Sequence, residues 1–167
     1  MKKLVFVFGL VIFLLGRTSF VNAVEKLAYV DLSRIFSEYN KTKDYDKVLT
    51  DKQNVYEGER DKKVSEVKQL QDKMNLLSDK EKEKKKEELE EKIKALQEYD
   101  RQKTTDLRKE QDEKMKEILK DIEEAVRKYA EQEGYSLVFN DRVLVYQSKS
   151  LDITDKIIDI LNKQYKK

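Results

Sequence analysis

From Tyr45 the apolar positions recur in threes and fours through Val48 or Leu49 and Tyr56, turn polar at Arg60 and Lys63, and resume at Val67, Leu70, Met74 and Leu77. Such spacing puts one stripe along a helix and predicts a helical seam with a gap in it. Ser78-Asp79-Lys80-Glu81 breaks the pattern. Ser78 and Glu81 have the spacing of a capping box, in which each residue satisfies an orphan N–H of a new helix, so a hairpin tip is expected near residues 78–80. The returning stripe runs through Leu89, Ile93, Leu96, Tyr99 or Asp100, Lys103, Leu107, Met115, Ile118 or Leu119, Ile122, Val126 and Tyr129. Gly134 is placed to end it as a left-handed cap.

The two ends have a different period. Leu27-Ala28-Tyr29-Val30 is a short β-prone run, and Asp31 or Ser33 can cap the helix that follows, with Ile35, Phe36 and Tyr39 on one face. Beyond Gly134, Leu137-Val138-Phe139 and Val143-Leu144-Val145-Tyr146 flank Asn140-Asp141, which predicts a β-hairpin with a tight turn. Asp152 with Asp155 then opens a last helix with Ile153, Ile157, Ile158 and Leu161 on its apolar face. The fold class expected is mostly α with a small β body, built on a long antiparallel helical hairpin of coiled-coil type. At 1.5 Å per residue, the shorter arm, Ser33 to Leu77, reaches about 65 Å. One strand, a hairpin and a short helix are too few for a stable sheet, and an identical subunit is the simplest source of the missing cover.

The first residues change the picture of where the chain works. Lys2 and Lys3 precede an apolar stretch from Leu4 to Leu15, and Val21-Asn22-Ala23 ends in a small residue, the pattern of a secretory signal peptide over residues 1–23 with the mature chain starting at Val24. A membrane anchor is the alternative, but the stretch is shorter than the roughly 18 to 20 apolar residues needed to span, and Arg17-Thr18-Ser19 follows it. With no Cys, the chain lacks a disulfide framework and the thiol that lipidation would use. Residues 24–167 then read as a single chain, with 24–32 and 134–167 as a body and 33–133 as the arm.

Charged residues make up 42% of the sequence and aromatic residues 9%, with no Pro, Trp or His, a composition that suits long helices better than a compact core. Removing Lys2, Lys3 and Arg17 turns the formal +2 into −1, which leaves no basic excess for nucleic acid. Without His or Cys the common zinc sets and imidazole- or thiolate-based nucleophilic sites are excluded. Gly58 and Gly134 alone, outside the signal, cannot build a phosphate loop, so no cofactor, no metal and no ATP-driven step is expected. Carboxylates, Lys and Tyr could still catalyse, but no deep pocket is predicted to gather them, and the chain is not read as an enzyme.

Leu27-Ala28-Tyr29-Val30-Asp31, the charged hairpin with its Ser78-Asp79 tip, Tyr135-Ser136-Leu137-Val138-Phe139 to Val145-Tyr146, and Leu151-Asp152-Ile153-Thr154-Asp155 occur in an order that resembles the Skp/OmpH family of periplasmic chaperones. The resemblance covers nearly the whole mature chain and is more specific at its two ends than along the coiled coil. It implies a periplasmic homotrimer in which strands of three subunits join in a β body and helical arms surround a cavity. Unfolded outer-membrane proteins would be held there without ATP, kept from aggregating and delivered for outer-membrane assembly. On this reading Tyr29, Val30, Val138, Phe139, Val143, Val145, Ile153 and Ile157 belong to the trimer body. Leu70, Met74, Leu77, Leu89, Ile93 and Leu96 lie where clients could touch, with seam packing between two helices as the simpler role for the same six. Typical members are basic, and this chain is near neutral. Lys80, Lys82, Lys84, Lys85 and Lys86 cluster at the tip, diluted by Glu81, Glu83, Glu87 and Glu88. A solvated helix face explains them as well as a patch for transient membrane or lipopolysaccharide contact.

Two other readings stay open. The arms could serve an exported envelope scaffold or adaptor that docks on a folded partner. Gly58 beside the polar gap is either a hinge or a tolerated residue.

Overall fold

The computed structural model describes residues 25–165. The signal-peptide expectation falls on residues 1–23, outside them. Strand β1 (Lys26–Val30) leads into a short helix α1 (Leu32–Glu38), the first arm α2 (Asn40–Asn75), the returning arm α3 (Asp79–Glu133), strand β2 (Tyr135–Asn140) and a closing helix α4 (Thr154–Gln164). Two 3-10 turns, Asp141–Val143 and Lys149–Leu151, lie between β2 and α4.

Several boundaries follow directly from local chemistry. Asp31 caps α1 by accepting from the Arg34 N–H at 2.9 Å, which decides between the two candidate caps. At the tip, Glu81 reaches back to accept from the Ser78 N–H at 3.2 Å, the carboxylate half of the capping box, and the same carboxylate accepts from the Ser78 hydroxyl at 2.5 Å. Gly134 adopts φ 72° and closes α3 with its N–H donated to the Ala130 carbonyl. Among the described residues it is the single position with positive φ, a region a Cβ would strain.

Two expectations are corrected. The first arm is not continuous from Ser33 to Leu77: it breaks at Tyr39, whose backbone is extended at φ −68° and ψ 123°. The break lets the Tyr39 side chain leave the helix surface and enter the core, where its ring meets Tyr165 edge-on at 5.7 Å and its hydroxyl donates to Asp121 at 3.2 Å. Nor does Val143–Tyr146 form the second strand of a hairpin. Asn140 and Asp141 avoid positive φ; the Asn140 side chain instead accepts from the Arg142 N–H and starts a 3-10 turn. β2 pairs with β1 in parallel, from Leu27 opposite Leu137 to Val30 opposite Asn140, with the whole arm as the crossover between them.

The C-terminal segment is stitched to the other side of β1. The Ile153 N–H donates to the Tyr29 carbonyl at 3.1 Å, and the Asp31 N–H donates to the Thr154 hydroxyl at 2.9 Å. Asp152 in turn accepts from both the Thr154 N–H and hydroxyl. The Asp-Ile-Thr start of α4 is thus the physical complement of the Tyr-Val-Asp end of β1.

A single core gathers Ala28 and Val30 of β1, Ile35 and Tyr39, Ile118, Ile122 and Ala125 of α3, and Ile153, Ile157, Ile158 and Leu161 at the C-terminus. It therefore places the base of the hairpin physically with the strands. All four apolar positions predicted for α4 are buried in it.

Candidate functional site

The arms are built without an interior of their own. From Lys43 to Glu117 no residue is fully buried. Leu70, Met74, Leu77, Leu89 and Leu96 are half-buried along the seam, and Ile93 is exposed. All six lie in the distal part of the hairpin, on either side of its tip. Leu76, at the turn, is 89% exposed.

Charge and aromatic pairs replace apolar packing where the stripe turns polar. Lys52 meets Glu110 at 2.5 Å, Arg60 meets Asp100 at 3.2 Å and Lys92 meets Glu66 at 3.0 Å, forming rungs between α2 and α3. Tyr56 and Tyr99 stack at 5.9 Å, the Tyr56 hydroxyl donating to Asp100 and the Tyr99 hydroxyl to Glu59. That bond to Glu59, with burial adding to it, pushes the Tyr99 hydroxyl up to about 12. Exposed ion pairs are each worth about 0.2–1 kcal/mol, so these rungs align the arms and hold them loosely. The gap read at Arg60 and Lys63 is real, and Gly58 stands beside it within a continuous helix, with nothing within 4 Å of where a Cβ would be.

Nearer the body the arms are fastened. Lys41 bridges Glu117 and Asp121 at 2.6 Å each. Hydrogen bonds from Lys114 and Lys41 hold the Glu117 carboxyl down to about 2. Burial raises the Tyr39 hydroxyl to about 12, with the Asp121 charge in support.

The second surface is on the body. Tyr29, Val30, Ile153 and Ile157 are buried within the single chain. Val138 is half-buried, whereas Phe139, Val143 and Val145 are exposed. Among the described residues β2 has an open edge, since β1 pairs along one side only. After β2 the apolar run 143–146 leaves three of its four side chains uncovered, with Leu144 half-buried, Val143 at 69% and Tyr146 at 86% exposure. An apolar groove of about 580 Å³ continues the surface between β2 and the base of α3, lined by Val30, Leu119, Ile122, Val126, Val138 and Phe139. Tyr146 and this groove were not singled out as a surface in the sequence; the length of the apolar run 143–146, left without an alternating polar face, is the signal that points to them.

At the tip, Lys82 pairs with Asp79 and Lys85 with Glu88, so part of the lysine cluster is neutralised locally. Among the described residues no His, Cys, Asp or Glu group could hold a metal ion, and no helix is long and apolar enough to cross a membrane.

The model of the family described as "Outer membrane protein (OmpH-like)" matches residues 26–161, which takes in both strands, both arms and most of α4. The chain belongs to the OmpH-like family. A crystal structure of an OmpH-like candidate outer membrane chaperone from Caulobacter crescentus CB15 matches this fold with a TM-score of 0.77, covering 85% of this chain and 86% of that one at 12% identity. At that identity the likeness establishes the shared architecture of strand, helical hairpin and C-terminal helix. No curated protein matches the chain. The match runs from β1 into α4, so the ends that carried the more specific resemblance lie inside the OmpH-like region.

Proposed function

We propose that this OmpH-like protein is an ATP-independent periplasmic holdase that works as a homotrimer. The observation that carries the proposal is the contrast within one chain: a stitched core at the base, and long arms with no buried residue from Lys43 to Glu117. Arms of that kind present half-covered Leu, Met and Ile between charged residues. Unfolded outer-membrane strands alternate apolar and polar residues, and such a surface meets both. Many weak contacts inside a cavity between three arms hold a client through effective concentration without trapping it. Release follows when the client buries its apolar face in the membrane, which removes the unfolded species by mass action. The open β2 edge and the exposed Val143–Tyr146 run supply the trimer contact, with Phe139, Val143 and Val145 outermost. Leu70, Met74, Leu77, Leu89, Ile93 and Leu96 supply the client contact.

The test is light scattering on the mature protein from Val24, alone and with a urea-diluted outer-membrane β-barrel protein. A trimer that keeps the barrel protein soluble without ATP is expected. A trimer that leaves it aggregating moves the function to an envelope scaffold, and a monomer removes the shared body.

A further inference from the structure

About half-way along the arm, α2 and α3 leave an open cleft of about 410 Å³, with Val55, Tyr56, Tyr99 and Leu107 among its lining. That volume falls in the range of about 300–1,000 Å³ typical of ligand sites. Two stacked tyrosines, Tyr56 and Tyr99, stand on the seam here. Their hydroxyls are held by Asp100 and Glu59, which fixes the rings and keeps them from filling the space. Val55 lies beside them at 62% exposure.

The rim has a sign. Asp51, Glu59, Asp106 and Glu110 line it together with Lys52 and Lys103, four carboxylates against two ammonium groups. Glu110 is occupied by Lys52 and Glu59 by Tyr99, while Asp51 and Asp106 make no hydrogen bond or ion pair among the described residues. The ring of Tyr99 already attracts cations, with Lys63 at 5.1 Å and Lys103 at 5.8 Å from its centre. An apolar floor under unspent negative charge fits an apolar guest that has basic neighbours. In an extended chain, residues i and i±2 share a face about 7 Å apart, so basic residues at those positions reach the rim while the central side chain fills the floor.

We propose that this mid-arm cleft is a binding subsite for an aromatic or large aliphatic side chain flanked at i±2 by Lys or Arg in an extended, unfolded chain. It deepens the holdase function and rests on it for the origin of the guest.

The test uses the full mature protein and two fluorescein-labelled peptides of equal length. One carries Phe between Lys residues at i±2; the other carries Glu at those two places. Anisotropy at low salt should show the Lys peptide binding at least tenfold tighter. Val55→Lys should weaken that peptide tenfold or more, and Val64→Lys, on the same helix outside the cleft, should change it less than twofold. Both valines are exposed, so neither substitution disturbs folding, which circular dichroism verifies. The double variant Asp51→Asn with Asp106→Asn should bring the two peptides within twofold of each other. Equal affinity for both peptides, no binding of either, or the same effect of Val55→Lys and Val64→Lys overturns the subsite. Aggregation of a β-barrel protein, followed with the same samples, separates the two claims. Suppression without peptide discrimination removes the subsite and leaves the holdase, and discrimination without suppression does the reverse.

Discussion

Asn162, in the last turns of α4, accepts from the Asn40 N–H through its Oδ1 at 2.7 Å and donates its Nδ2 to the Glu38 carbonyl at 3.2 Å. One side chain thus satisfies a donor and an acceptor that the break at Tyr39 releases from the helix ladder. Asn162→Ala is expected to lower stability by about 0.5–1.5 kcal/mol, the net worth of a hydrogen bond, because the Asn40 end is exposed to water and only the Glu38 end is partly buried. Urea unfolding measures it, and an unchanged midpoint would mean that the break holds itself.

Acid should loosen the base of the arms before it affects the distal seam. Glu117 is held at about 2, below its ordinary 4.5, by hydrogen bonds from Lys114 and Lys41. A depressed carboxyl contributes stability that is fully present above about 4.5 and is lost as pH falls toward about 2. Its side chain is 42% exposed, so solvent screens the pair and the contribution is modest. Urea midpoints of the native protein and Glu117→Gln are expected to differ at pH 6 and to converge near pH 2. A difference that persists at pH 2 would assign the effect to packing and not to the charge.

Much of this was legible in the sequence because it is local. The Ser78–Glu81 cap, the Gly134 stop and the α4 face of Ile153, Ile157, Ile158 and Leu161 each depend on spacing within a few residues. Two features depend on contacts that span most of the chain and leave no local mark. The break at Tyr39 is imposed by Asn162, Tyr165 and Asp121, with no Pro or Gly near it. The parallel pairing of β1 with β2 replaced the expected hairpin because β1 offers a partner across the arm, and the β-prone Val143–Tyr146 run was left over. Along the arms the seam and its polar gap were readable, whereas the cross-arm partners of Arg60 and Tyr99 required the register between two helices.

Gly58 lies in a continuous helix with open space around it, so Gly58→Ala is expected to stabilise the first arm by about 1 kcal/mol of helix propensity without a steric cost. Amide exchange around residues 54–62 should slow by about fivefold as a result. If compliance at this position lets the arms adapt, the same variant will hold large and small β-barrel clients less evenly than the native protein. Unchanged exchange would show that the surrounding ion pairs, and not the glycine, set the local opening.

The exposed apolar run gives the most direct test of assembly. Val145 is fully exposed and Tyr146 nearly so, and neither belongs to the core that Val30, Ile122 and Ile157 form. Charging them therefore costs the single chain little, since surface substitutions away from packed features usually change stability by less than about 0.5 kcal/mol. The same change at a subunit contact buries two unpaired charges, a penalty of several kcal/mol. Val145→Asp with Tyr146→Asp is expected to yield a monomer by light scattering with helical circular dichroism retained. Ile157→Asp serves as the contrast, because a charge placed in the core should unfold the body outright. If the double variant kept the native assembly, the contact between subunits would have to lie elsewhere, with the groove between β2 and the base of α3 as the next surface to charge, through Val126→Asp.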